Sequence, residues 1–106
     1  MAGEIVVFVS CPESIAESIA KPLIEEKIAA CVSILPAAKS IYMWEGKLCQ
    51  EKECLLFIKT NRVRFDTLEK RIKELHTYEV PEIIALPIEE GYAPYLAWLN
   101  HSVAKI

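Results

Sequence analysis

Four side chains able to hold a metal or move a proton fall in one short stretch of the sequence: His76, Tyr78, Glu79 and Glu82. Imidazole suits Cu(II) and Zn(II), and carboxylates either complete such a site or orient the ring. The residue types point to metal chemistry. The spacing matches neither an HExxH helix nor a zinc knuckle. A second reading stays open for His76, which would follow a helix, where a cation is favoured at the C-terminal end. Cys31 offers a soft thiolate suited to Cu(I), or is a small buried apolar residue, as most free cysteines are. Lys59 is the odd charge at the inner end of an apolar strand. It pairs with Glu79 or Glu82, binds a small anion, or ends the strand in solvent.

The remaining thiols are Cys11, Cys49 and Cys54. No CxxC occurs, and Cys49 and Cys54 would point to opposite faces of a continuous strand. Four free thiols in a reducing cytosol are expected. Cys31, His76 and a carboxylate would permit thiol or acyl chemistry. No nucleophile elbow accompanies them, and Gly3, Gly46 and Gly91 are too scattered to cradle a phosphate. The chain is therefore not expected to be an enzyme.

These side chains must be positioned by a recognisable order of elements. "EIVVFV" (4–9) is apolar at every position and reads as a strand buried on both faces. Pro12 suits the start of a helix, whose stripe is Ile15, Ala16, Ile19, Ala20, Leu23, Ile24 and Ile28. Pro22 inside that stripe predicts a kink or a shortened helix. "ACVSIL" (30–35) and, past Pro36, "KSIYMW" (39–44) are extended. Glu45-Gly46 turns the chain, and "KLCQEKECLLFIKT" (47–60) returns. Thr60 or Asn61 caps a second helix with Phe65, Leu68, Ile72 and Leu75 inward. "EIIALPI" (82–88) is the fourth strand, and a short helix lies near Pro94 to Leu99.

The result is an α+β, ferredoxin-like βαββαβ sandwich with a short C-terminal helix and a long central hairpin. The first and third strands are central. Pro36 and Pro87 fall on edge strands, where a missing N–H is tolerated. With 106 residues the chain is one domain, 1–106. The net charge of −3 argues against nucleic-acid capture. No apolar run is long enough for a membrane span, and no signal peptide is visible.

Both central strands are apolar on both faces, yet the two main helices cover only one. A half-exposed antiparallel sheet would alternate instead. The hairpin adds a second argument. Fifteen residues from Ala30 to Trp44 reach ~50 Å at about 3.3 Å each, against a domain diameter of roughly 35 Å. A projecting Tyr42-Met43-Trp44 tip is a liability for a lone chain but natural against a neighbour in a closed ring.

The segments "AACVSI", "SIYMWEGK", "LLFIKT", "ELHTYEVPEIIALPI" and "YLAWL", in this order over nearly the whole chain, resemble the CutA divalent-cation tolerance family. The resemblance implies a cytoplasmic homotrimer, similar to the PII signalling proteins, associated with tolerance of copper and other heavy metals. It also implies copper binding near a cysteine ending the first strand, for which Cys11 is the nearest thiol, with His76 and Glu79 as further metal ligands. Cys31, Lys59, Tyr78 and Glu82 become candidates for a metal or small-molecule pocket between subunits. Tyr42, Met43 and Trp44 become interface residues. The alternative function is a PII-like small-ligand sensor or trimeric scaffold. The family usually shows His-Pro-Tyr where this chain has His76-Thr77-Tyr78.

Overall fold

A computed structural model describes residues 3–104. Strand β1 (Glu4–Cys11) leads through a short 3-10 turn (Glu13–Ile15) into α1 (Ala16–Glu25). Then follow β2 (Cys31–Trp44), β3 (Lys47–Asn61), a second 3-10 turn (Arg62–Arg64), α2 (Phe65–Leu75), β4 (Ile83–Pro87) and α3 (Ala93–Ser102). The antiparallel sheet has the order β2-β3-β1-β4. The doubly apolar strands β1 and β3 are central and the proline-bearing ones are at the edges, as the sequence predicts.

One face of the sheet carries the main core. Ile5, Val7, Val9 and Cys11 alternate inward from β1, and Cys54, Leu56 and Ile58 from β3. Ile19 and Leu23 of α1, with Leu68 and Ile72 of α2, close over them and are fully buried. Pro22 remains inside α1, which ends three residues later. The chain leaves through a left-handed Lys27 (φ 60°), and the Leu23 carbonyl accepts from both Ile28 and Ala29 N–H. Ile28 thus reaches the core from a C-terminal turn, not from the helix. Asn61 caps the next segment, its side chain accepting from Arg64 N–H at 3.3 Å.

On the opposite face, α3 packs on β1 and β3 and buries Leu99, with Val103 buried just past its end. Asn100 pins it, donating to Glu4 Oε2 at 2.6 Å and accepting from Asn61 Nδ2 at 2.9 Å. The cover is partial. Phe8 and Phe57 stack at 4.6 Å on this face, half-buried, while Leu35, Ile84 and Leu86 remain 43–50% exposed.

The β2–β3 ribbon projects beyond this body. The molecule measures 44 × 25 × 22 Å, and its radius of gyration of 14.4 Å exceeds the ~13 Å of a compact domain of this length. A bulge between Leu35 and Ala38, with Ala37 at φ 64°, re-aims the ribbon after Pro36. Glu45 (φ 50°) and Gly46 (φ 79°) form the turn. Positive φ at both central residues is the type I′ geometry that matches strand twist. Ile41, Met43 and Leu48 near the tip are each at least 60% exposed.

Candidate functional site

The segment after α2 is held to the end of β1 by His76. Its backbone N–H caps the helix on the Ile72 carbonyl, and its ring is buried. Nε2 lies 2.8 Å from the Ser10 carbonyl oxygen, and Nδ1 lies 3.1 Å from the Tyr78 backbone N–H. A carbonyl can only accept and an N–H can only donate. The ring is therefore neutral, protonated on Nε2 and accepting at Nδ1. Both nitrogens are used by the backbone, so His76 latches the 76–82 segment onto β1 and has no lone pair free for a metal.

Tyr78 packs against the His76 ring, centroids 4.6 Å apart and planes tilted by 43°, and donates its hydroxyl to Glu53 Oε2 at 2.5 Å. Glu53 is only 4% exposed. Burial, then the Glu53 bond and charge, hold the Tyr78 phenol well above the usual tyrosine range. Tyr78 is thus a fixed neutral donor and Glu53 a fixed acceptor. Across the same opening, Ser10 Oγ donates to Glu82 Oε1 at 3.1 Å.

These groups line a cavity of about 830 Å³ between the 76–82 segment and the projecting ribbon. Glu51, Glu53, Glu79 and Glu82 supply its charge, and Tyr42, Trp44 and Tyr78 its aromatic walls. Among the described residues, no Lys, Arg or His lines it. The volume is that of a small-molecule site. A cleft lined by one sign of charge concentrates ions of the other sign. Chemically this is a receptacle for cations, with hard oxygen donors and ring faces.

The sequence-predicted candidates divide between separate places. Tyr78, Glu79 and Glu82 meet in the cavity, where Tyr42 and Trp44 join them. Cys31 and Lys59 do not. Lys59 Nζ donates to Ser33 Oγ at 3.0 Å and lies 3.8 Å from Cys31 Sγ, pairing with neither Glu79 nor Glu82. Glu53 lies six residues back along β3, about 20 Å away at 3.3 Å per residue. Cys11 faces the main core, 0% exposed. Among the described residues, no three His, Cys, Asp or Glu side chains converge closely enough to hold a metal ion. His76, Cys11 and Glu79 are therefore not a ligand set within one chain. Alternation turns Cys11 inward, and the latch occupies His76. Met43 is 63% exposed at the ribbon tip. The sequence reading missed Glu51 and Glu53. Their role depends on the β2–β3 register, which sets Glu51 opposite Ser40 and Glu53 opposite Ala38.

Comparison with known proteins gives a consistent result. The family model "CutA1 divalent ion tolerance protein" matches residues 5–102. The Thermus thermophilus divalent-cation tolerance protein CutA is 49% identical over 93% of this chain and 97% of its own length. The crystal structure of CutA1 from Oryza sativa aligns with a TM-score of 0.95 and 43% identity, covering 99% of this chain and 97% of that one. A PII-like protein CutA from Nostoc sp. PCC 7120 in apo form aligns with a TM-score of 0.89 and 32% identity, covering 94% and 97%. This chain spans 66% of the length of a Xenopus laevis CutA homologue and 56% of the human protein CutA.

Proposed function

Since the chain belongs to the CutA1 divalent ion tolerance family, we propose that it is a homotrimer that binds divalent heavy-metal ions, copper among them, as part of tolerance or response to them. The observation that carries this reading is the acidic cavity, whose lining among the described residues has four glutamates and no cationic side chain. Divalent first-row metals compete for such a site in an order that peaks at Cu(II). Among the described residues a single copy brings no three ligands together, so the proposal needs a second copy to complete coordination at the subunit boundary. The apolar surface supports that assembly. Leu35, Ile84 and Leu86 are exposed on the sheet, and Ile41, Tyr42, Met43 and Trp44 on the ribbon. Closed cyclic symmetry satisfies such a patch in every subunit.

The four cysteines are free, which fits a reducing, cytoplasmic setting. The proposal contains no catalytic step.

A second reading is a PII-like sensor or scaffold that takes a small organic ligand. The aromatic walls favour it, because Tyr42, Trp44 and Tyr78 can face an organic cation. Calorimetry separates the two. Cu(II) or Zn(II) should bind with an affinity that falls at least tenfold in Glu53→Gln and in Glu82→Gln. Equal affinity in parent and variants removes the metal reading. Heat from an organic ammonium probe, with none from metals, selects the second. Light scattering at micromolar concentration should report three chains, and a stable single chain would end the subunit-boundary argument.

A further inference from the structure

The register of the two central strands places two buried thiols directly opposite each other. β1 and β3 pair without interruption from Glu4↔Asn61 to Cys11↔Cys54. One step before this ladder begins, Arg62 N–H donates to the Gly3 carbonyl at 2.7 Å. Hydrogen-bonded and non-hydrogen-bonded pairs alternate along an antiparallel ladder. Counting every second pair from Gly3–Arg62 makes Cys11–Cys54 a hydrogen-bonded pair. Its Cα atoms are therefore about 5.5 Å apart, within the commonest separation for a disulfide. Both side chains face the helix-covered core, 0% and 1% exposed. The Cβ atoms of opposed residues lie ~4.5–5.5 Å apart, against about 3.8 Å in a disulfide. A hydrogen-bonded pair sits at the wider end of that range, so closure needs an approach of roughly 1.5 Å. Cys11 is the last residue of β1 and precedes Pro12, so no further rung fixes the strand spacing there.

We propose that Cys11 and Cys54 are a redox pair that closes to a cross-strand disulfide in exchange with a low-molecular-weight disulfide such as oxidised glutathione. One cysteine thiolate attacks the glutathione disulfide and expels one glutathione thiolate. The second then attacks the mixed disulfide and expels the other. Two protein thiols and one glutathione disulfide become one protein disulfide and two glutathione thiols, and the two electrons leave with the glutathione. The buried setting disfavours thiolate but not the neutral disulfide. The folded pair therefore exchanges slowly, and its state is set as the chain folds or opens. Ser10 and Glu53 immediately precede the two cysteines and line the acidic cavity. Closing the pair draws together the two strands that carry the Glu82 and Tyr78 contacts. The inference does not depend on what the cavity binds.

The test uses the full chain carrying Cys31→Ala and Cys49→Ala, so that only the pair remains. It is unfolded and refolded in buffers of graded reduced-to-oxidised glutathione ratio. The oxidised product should lose the mass of two hydrogens as a single chain, and its non-reducing tryptic map should join peptide 1–27 to peptide 53–59. It should melt more than ~5 °C above the reduced form, because the bridge restricts the unfolded chain. Thiols that stay free at the most oxidising ratio, a product that stops at bound glutathione, or a bridge between chains overturns the proposal. So does an unchanged melting temperature. The parent chain gives a second reading by the same map, since trypsin separates all four cysteines. There a bridge from Cys54 to Cys49 or Cys31 overturns it.

Discussion

Removing one oxygen atom, in Tyr78→Phe, tests the central geometric claim about the cavity. The phenol donates to Glu53 at 2.5 Å, and that carboxylate is 4% exposed. The phenylalanine ring keeps the tilted contact with His76, so the packing change is small. What is lost is a hydrogen bond to a buried charge, which contributes about 1.5–3 kcal/mol. The expected destabilisation is about 2 kcal/mol, or roughly 8–16 °C in melting temperature for a domain near 100 residues. Glu53→Gln should cost less, because the amide oxygen still accepts from Tyr78. The two changes share one bond, so their double-mutant cycle should show coupling of at least ~1 kcal/mol. Urea unfolding at one fixed protein concentration is the assay, because subunit association adds a concentration term. Alkaline titration adds a second readout. The Tyr78 pKa is raised in the folded state above its unfolded value, chiefly by burial and then by Glu53. The stability it carries is fully present below the ordinary tyrosine range and is lost as pH rises beyond it. Tyr78 should be among the last tyrosines to ionise, and Glu53→Gln should bring it forward. A loss below ~0.5 kcal/mol with no coupling is the size of an ordinary surface change, and it would refute the reasoning.

The Cys11 thiol, pushed from 9.0 up to about 11 chiefly by burial and then by Cys54, stabilises the fold below pH 9. That contribution should fade between pH 9 and about 11, and chemical unfolding against pH should show a shallower alkaline fall in Cys11→Ala. His76→Ala removes partners from the Ser10 carbonyl and the Tyr78 N–H. It should lower stability by about 1–3 kcal/mol and speed amide exchange at Tyr78. Glu45 sits at φ 50°, so Glu45→Gly should raise stability by up to about 1 kcal/mol through relief of left-handed strain, read as a higher urea midpoint. In a Trp98→Phe background, Cu(II) should quench Trp44 fluorescence and a chelator should restore it, since Trp44 lines the cavity.

Much of the fold was legible in the residues. Unbroken apolar runs at "IVVFV" and "CLLFI" marked the central strands, because only a strand covered on both faces dispenses with alternation. Pro36 and Pro87 marked the edges through their missing N–H. The fifteen-residue reach to Trp44 required a projecting ribbon, and the 44 Å long axis shows one. Of the candidate site, Tyr78, Glu79 and Glu82 were visible as neighbours in sequence. Glu51 and Glu53 were not, because their place depends on which residue of β2 each opposes.

Residue type and periodicity determined which segments are strands and helices and which faces are apolar, since those preferences are local and additive along the chain. Register and packing decided the rest. They turned Cys11 inward to face Cys54, engaged both nitrogens of His76 with backbone groups, and set Lys59 beside Ser33 and Cys31, away from the acidic segment that was one of its three readings. One rung along a ladder sends a side chain to the opposite face. A histidine's availability depends on hydrogen bonds to residues far away in sequence, such as Ser10. Which side chains share a site is therefore a property of the assembled sheet, however plainly each residue's own chemistry is written in the sequence.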